Sequence, residues 1–269
     1  MSAPGHVSAP MNTTPRRLTA LAFVALVASL PREAGAQERP SLTQQSQAWV
    51  AFNYQGPLAG RLGVVGDVQY RVWDDFTPQQ VLVRQALVWW FTPRLFAGVG
   101  YAWTPFWRGP GLEGFVDEHR IYQVIQYQYN HAPSGFVLQL RTRVEQRLRH
   151  PDAGVEVGLR ARQMVRALLP VTADRKLSVI AWDEVFVHLA NSGGEPSGVD
   201  ATGAATRTAQ WAYTGFDQNR AFLGMGYQFI PGVLRLELGY LNQFVRRPNN
   251  PAGDLMSHIA LLQVFTAWR

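Results

Sequence analysis

No cysteine occurs among the 269 residues. That excludes disulfides, thiol nucleophiles, Cys-ligated zinc, iron–sulfur clusters and lipid attachment through a cysteine. Charge is scarce as well. Asp, Glu, Lys and Arg make up 16%, against about 25% in ordinary soluble domains. Beyond Leu30 the chain has no apolar run of about 18 residues, the length a membrane-spanning helix needs, and mean hydropathy is −0.11. A helical membrane protein is excluded on that ground, and an ordinary cytosolic enzyme fits poorly. Lysine is nearly missing too: of 25 basic residues Lys176 is the one lysine, and the arginines are dispersed along the chain. A net charge of +6 spread in this way makes no basic patch, so no nucleic-acid partner is expected.

Aromatic residues are plentiful, at 12% with nine Trp and nine Tyr, in a chain that is 47% hydrophobic. Aromatic-rich, charge-poor and without a spanning helix is the composition of a transmembrane β-barrel, in which lipid-facing and lumen-facing residues alternate and cancel in any hydropathy average. The amino terminus points to a compartment. Arg16 and Arg17 precede the apolar run Leu18–Leu30, and Ala34-Gly35-Ala36 follows as a small-x-small site before Gln37. Together these spell a cleavable signal peptide over 1–36. A single membrane anchor needs a longer run and has no use for the processing site. Residues 37–46 then read as an N-terminal arm and 47–269 as one barrel domain in the outer membrane of a Gram-negative bacterium. Its expected partners are outer-membrane lipid and, during insertion, the barrel-assembly machinery.

Two-residue alternation carries the fold class. In Arg61–Val72, Leu62, Val64, Val68, Tyr70 and Val72 face one way, and Asp67, Gln69 and Arg71 the other. In 136–147, Leu138, Leu140, Thr142 and Val144 oppose Gln139, Arg141, Arg143, Glu145 and Arg147. A helix would scatter these charges around its axis, whereas a strand collects them on one face. Similar segments cover approximately 47–55, 79–91, 95–104, 117–129, 155–169, 176–189, 217–229, 233–246 and 257–268. Short connections at Gly56–Gly60, Thr92–Arg94, Asn130–Gly135, Val171–Arg175 and Ile230–Gly232 alternate with longer ones at Asp74–Pro78, Pro105–Val116, Leu148–Gly154, Ala190–Phe216 and Arg247–Met256. Short turns at one rim and long loops at the other make an all-β, antiparallel, up-and-down barrel.

The segments number eleven, whereas single-chain bacterial barrels have even counts. Ten to twelve strands are therefore expected. Either 47–55 is not a regular strand, or a twelfth hides in Gln37–Ser46 or near Arg207–Tyr213. Trp73, Trp89, Trp90, Tyr101, Trp103, Trp107, Trp211, Tyr213 and Trp268 fall near strand ends or in the longer loops, where an aromatic girdle sits.

A family resemblance rests on short motifs that arrive in order. They are Trp49–Tyr54 with Asp67-Val68-Gln69-Tyr70-Arg71, Asp117-Glu118-His119-Arg120, Arg141–Arg147, Asp183-Glu184-Val185-Phe186, Asp217-Gln218-Asn219-Arg220 with Gly224-Met225-Gly226-Tyr227, and Glu237-Leu238-Gly239-Tyr240 with Asn242-Gln243. From about Gln47 to Trp268 the chain resembles a family of bacterial outer-membrane barrels, the "domain of unknown function 2490" family. The resemblance implies an exported barrel and supplies no activity. One departure is Arg269, which follows the final aromatic Trp268.

Three constellations bear on chemistry. By alternation, Glu118, Arg120, Arg141, Arg143, Glu145, Arg147, Arg160, Arg162, Glu184, Arg220 and Glu237 project to the polar faces of successive strands, a lumen-lining charge network. Paired, these residues stiffen or plug a small barrel, because arginine's planar fork meets a carboxylate at two points. With positive charge in excess, they line a narrow pore or pocket that prefers anions. Both readings stay open.

The second constellation is His188, Asn191 and Ser192, where a strand enters the longest loop. Nucleophilic catalysis needs the histidine within hydrogen-bond reach of the serine. Residues four apart on a strand are separated by about 13 Å, and His188 shares the inward parity of Glu184. The third is metal binding. His119, His131, His150, His188 and His258 lack ligand spacing, so no metal and no cofactor is expected. Gly98-Val99-Gly100 and Gly224-Met225-Gly226 read as small residues facing a crowded lumen, since no helix follows them to make a phosphate loop.

The expectation is a non-enzymatic barrel, either a narrow channel or a ligand-binding barrel for small solutes, anions among them. The alternative is a closed, structural barrel for envelope maintenance. An outer-membrane lipid hydrolase using Ser192 and His188 comes third.

Overall fold

A sheet with a free edge exposes unpaired backbone groups; closing the sheet on itself removes the edge. The chain does this with eleven long strands. The computed structural model describes residues 42–107, 114–150, 155–190, 192, 196–199, 205–207, 212–248 and 252–268. Residues 1–36, expected to be a signal peptide, the expected arm up to residue 41, Asn191, Gly193, Gly194, Gly203 and Trp211 lie outside the described residues.

The strands are β1 (Leu42–Ala59), β2 (Leu62–Trp73), β3 (Pro78–Thr92), β4 (Leu95–Trp103), β5 (Phe106–Trp107), β6 (Phe115–His131) and β7 (Phe136–His150). They continue with β8 (Glu156–Pro170), β9 (Leu177–His188), β10 (Pro196–Val199), β11 (Ala205–Arg207), β12 (Gly215–Ile230), β13 (Leu234–Val245) and β14 (Asp254–Ala267). The ring runs β1-β2-β3-β4-β6-β7-β8-β9-β12-β13-β14 and returns to β1. Short β5 extends the line of β4 between β3 and β6, and β10 with β11 forms a small sheet of its own.

Every segment expected from alternation is a strand of this ring, and the expected even count is corrected to eleven. Segment 47–55 is regular and longer than anticipated. Leu42–Ser46, read above as part of the arm, pair with Asp254–His258. No twelfth ring strand occurs among the described residues. Direction explains how an odd number closes. When strands alternate up and down around a ring of odd size, the first and last must run parallel. β1 does pair in parallel with β14, from Leu42↔Asp254 to Gln55↔Ala267. Leu42 therefore starts at the rim of the long loops, and Ala267 ends at the rim of the short turns.

The short turns carry local devices. Gly232, at φ 73°, turns β12 into β13, with the Val233 N–H donating to the Ile230 carbonyl at 2.9 Å. Between β8 and β9 the Thr172 hydroxyl donates to Asp174 at 2.6 Å and the Lys176 N–H at 3.1 Å. These bonds hold the Asp174 carboxyl below its usual range, the threonine bond contributing most.

Alternation separates the two faces of the wall. Outward, Val50, Phe52, Leu87, Val99, Ile121, Ile125, Val165, Leu223, Met225 and Leu238 are 40% to 61% exposed. Exposed Trp89, Phe91, Tyr127, Tyr129, Phe229 and Trp268 lie toward the short turns, and Tyr70, Tyr101, Trp103, Trp107 and Phe115 toward the long loops. Trp73 and Tyr213 are half-buried. Trp90, expected in the girdle, instead packs inside against Phe96 with ring centroids 4.7 Å apart. Its neighbour Trp89 faces out, so the pleat turns Trp90 in.

Inward, two apolar clusters form. Trp49, Ile180, Phe222, Leu241, Ile259 and Leu261 make one, and Ala86, Val88, Phe96, Ala102, Tyr122 and Val124 the other. Glycine makes room for both: a Cβ on Gly100 would overlap the Tyr122 ring, and one on Gly226 would meet the Ile180 side chain.

The cysteine-free chain allows a chemical test of closure. Val50→Cys with Leu262→Cys, partners across the parallel seam, is expected to cross-link on mild oxidation, because the Cα separation of paired residues suits a disulfide. Val50→Cys with Leu255→Cys is expected not to. Equal cross-linking of both pairs, or of neither, read by mass spectrometry, would sink the parallel closure.

Candidate functional site

Inward arginines outnumber inward carboxylates, so pairing sorts them into those with a counter-charge and those without. Of the eleven residues expected in the network, Glu118, Arg120, Arg143, Glu145, Arg147, Arg160, Arg162, Glu184 and Glu237 are buried. Arg141 and Arg220 are half-buried and line interior cavities.

The structure joins most of these residues through shared carboxylates. Glu118 accepts from Arg120 Nε at 2.6 Å and, at both oxygens, from Arg147 at 2.7 and 3.0 Å. Glu145 accepts from Arg160 at 2.7 Å and Arg162 at 2.5 Å. Arg162 also reaches both oxygens of Glu184 at 2.9 Å, and Arg141 approaches the same carboxylate at 3.4 Å. Arg160 continues across β9 to Asp217 at 3.1 Å, and His188 Nε2 lies 3.3 Å from the other Asp217 oxygen. Glu237 stands apart, held by Arg235 Nε at 2.7 Å and by Arg166. Charge-assisted, often two-pronged contacts of this kind keep buried charge tolerable in a low-dielectric interior.

Alternation had also missed members of this set. Asp67 and Arg84 grip each other at 2.8 and 3.0 Å, and Arg71, Arg166, Asp217 and Arg235 face inward with them. For five of these the signal is present: Asp67 and Arg71 lie on the polar face of 61–72, Arg84 shares the parity of Gln80, Arg166 that of Arg160 and Arg162, and Arg235 that of Glu237. Asp217 is concealed by a register shift between Phe216 and Gln218. An irregularity of that kind re-aims a side chain, so Asp217 and the even-numbered Gln218 and Arg220 come to line one cavity.

Arg71 and Arg220 have no carboxylate at pairing distance among the described residues. Arg71 donates to Gln80 at 2.6 Å and Gln69 at 2.8 Å, and Arg220 Nε donates to Gln243 at 3.0 Å. Both guanidinium groups lie over Trp49, at 3.7 and 5.1 Å from a ring centroid, a contact that attracts cations to the ring face. They line a cavity of about 290 Å³ toward the long loops, together with Arg84, Arg120, Arg147, Arg160 and Arg162. Glu184 and Asp217 are the carboxylates on its wall. Three buried donors of wall residues, Arg71 Nε, Arg162 Nε and Gln263 Nε2, find no acceptor among the described residues.

A second cavity, of about 460 Å³, lies toward the short turns among Gln128, Asn130, Gln139, Arg166, Ser178 and Arg235. The two cavities share no wall residue. Along β8, β9, β12 and β13 the inward side chains between them include Met164, Ile180, Phe222 and Glu237, at most 5% exposed.

His188 and Ser192 are both buried, so neither is presented on the outer face. His188 meets Asp217; the Ser192 hydroxyl accepts from the Ala212 N–H at 3.1 Å. No group of three metal-ligating side chains occurs among the described residues.

A family model described as a protein of unknown function, DUF2490, matches residues 46–254. An uncharacterized protein of Methylorubrum extorquens is 30% identical over 251 residues, covering 92% of this chain and 96% of its own length. No solved structure matches the chain.

Glu237 offers the sharpest test of the network, because it is fully buried and holds two arginines. Glu237→Gln is expected to destabilise the barrel by about 3 kcal/mol in urea unfolding, the cost of stranding buried charge. Replacing the cluster together, as Glu237→Leu with Arg166→Met and Arg235→Met, should recover most of that loss. A Glu237→Gln cost below about 1 kcal/mol would show that the arginines do not depend on it.

Proposed function

We propose that this chain, which belongs to the DUF2490 family of proteins of unknown function, is an outer-membrane β-barrel that binds small anionic solutes in a blind, arginine-lined vestibule open toward the long loops. One observation carries the reading: Arg71 and Arg220 converge on Trp49 in that cavity with amide partners and, among the described residues, no carboxylate partner. A solute bearing carboxylate or phosphate oxygens supplies the missing negative charge and accepts from Arg71 Nε and Gln263 Nε2. The volume, about 290 Å³, lies at the small end of ligand pockets and suits a small metabolite.

The outer face supports the membrane assignment. A belt of exposed aliphatic residues with aromatics toward both rims is the pattern lipid selects. The layer of Met164, Ile180, Phe222 and Glu237 between the cavities favours ligand binding over conduction.

The test uses the purified full chain, with heat-modifiable migration as proof of a folded barrel. Calorimetric titration with citrate is expected to give saturable binding. A charge-assisted hydrogen bond is worth about 1.5–3 kcal/mol, so Arg220→Gln or Arg71→Gln should weaken that binding about tenfold or more. In planar bilayers the protein is expected to be silent; reproducible steps with an anion-directed reversal potential would replace the vestibule with a channel. Absence of citrate binding by a folded barrel would sink the binding role, and recovery of the native protein outside the outer-membrane fraction would sink the location.

A further inference from the structure

We infer a second anion site, sized for one chloride-like ion, between Arg141 and Arg143 in the interior wall, separate from the vestibule and independent of it. Arg143 is 5% exposed. Its Nε and Nη1 find no acceptor among the described residues, and neither does Arg141 Nε. The Arg143 guanidinium instead lies 5.2 Å from the Tyr122 ring centroid. Its cross-strand partner is another arginine, Arg162, already committed to Glu145 and Glu184. Like charges directly opposite each other in a sheet repel, so an uncompensated positive charge is concentrated here.

The carboxylates nearby do not relieve Arg143: Glu184, which Arg141 approaches at 3.4 Å, is held at both oxygens by Arg162, and Asp67 lies on the same wall. Both oxygens of Asp67 are taken, by Arg84 at 2.8 and 3.0 Å and by the Gln69 amide at 2.8 Å. Arg141 and Arg143 open together onto a cavity of about 10 Å³, with Tyr122 and Gln126 on the same wall. That space holds about one small sphere. A carboxylate or phosphate group is too large for it. A water molecule fits but brings no charge. A monatomic anion is somewhat wider than water and enters where the flexible arginine ends give slightly; it then accepts from the three free N–H groups and offsets a buried guanidinium.

Chloride-35 NMR on the full chain in detergent micelles tests the site, because chloride exchanging onto a slowly tumbling particle broadens the free-ion line. The measurement is made in saturating citrate, which occupies the vestibule and is excluded from a cavity of this size. Excess linewidth is expected to persist in the wild type and in Arg220→Gln. Arg143→Met should abolish it, with Arg143→Gln as the substitute where the Met variant does not fold. No citrate-resistant broadening by a folded wild-type barrel would overturn the site, as would broadening unchanged by either Arg143 variant. If citrate itself does not bind, the vestibule fails on its own account. The chloride comparison between wild type and the Arg143 variants then proceeds without citrate and keeps the same two outcomes.

Discussion

A guanidinium inside this barrel has to find an acceptor, and most of the lumen is arranged around that requirement. Each major interior carboxylate serves two cations. Glu118 holds Arg120 and Arg147, Glu145 holds Arg160 and Arg162, Glu184 holds Arg162 and Arg141, and Glu237 holds Arg166 and Arg235. Because each carboxylate has at least one partner on another strand, the carboxylates link β6 through β9 and reach β12 and β13. Magnitudes decide what this linkage is for. At about 4 Å and an effective dielectric of about 20, one contact returns roughly 4 kcal/mol, while desolvation costs several kcal/mol per ion. The two nearly cancel. The network therefore adds little net stability but penalises any register that strands a charge. Stability comes instead from the closed hydrogen-bonded ring and from the inward apolar clusters.

The ring has one seam of a different kind. Parallel pairing is slightly weaker per residue than antiparallel pairing, and β1 meets β14 in that weaker mode. Side chains reinforce it along its length. The Thr43 hydroxyl donates to the Ala252 carbonyl at 2.6 Å, Gln45 Nε2 to Ser257 at 2.9 Å and Asn53 Nδ2 to the Val264 carbonyl at 3.3 Å. At the far end Trp268 donates from its indole to the Pro57 carbonyl at 3.1 Å. Its ring covers Gly56, where any side chain would collide with it. The final aromatic thus acts as a clasp on the first strand.

Much of this was legible in alternation, and the failures have physical causes. All eleven strands could be located, since period two needs nothing beyond one wet face and one dry face. Their number was misjudged by importing an even-count rule that applies to antiparallel closure, whereas here a parallel seam closes an odd ring. The inward charges on β6 to β9 followed from parity. Asp217 escaped because the irregularity at Phe216–Gln218 breaks parity where it sits. Arg71 and Arg84 lay on readable faces, but no pattern along one strand announces that Arg84 meets Asp67 while Arg71 meets amides. Trp90 illustrates the limit of reading aromatics by position alone: proximity to a strand end suggested the rim, and the pleat sends it to the core.

The amides around Trp49 carry the last step. Gln69 and Gln80 bind Arg71, Gln243 binds Arg220, and Gln218 and Gln263 complete the polar wall. Glutamate has nearly the same shape as glutamine, and at Gln80 or Gln243 it would make the same hydrogen bond while cancelling the charge. Elsewhere in the lumen that solution is used repeatedly. An amide keeps the guanidinium oriented and leaves its charge available to whatever enters. A lumen that served rigidity alone would gain from the acid at these positions, whereas one that receives anions would lose its ligand to it. The choice of amide over acid at Arg71 and Arg220 is therefore what supports reading this vestibule as a binding site and the rest of the charge network as its frame.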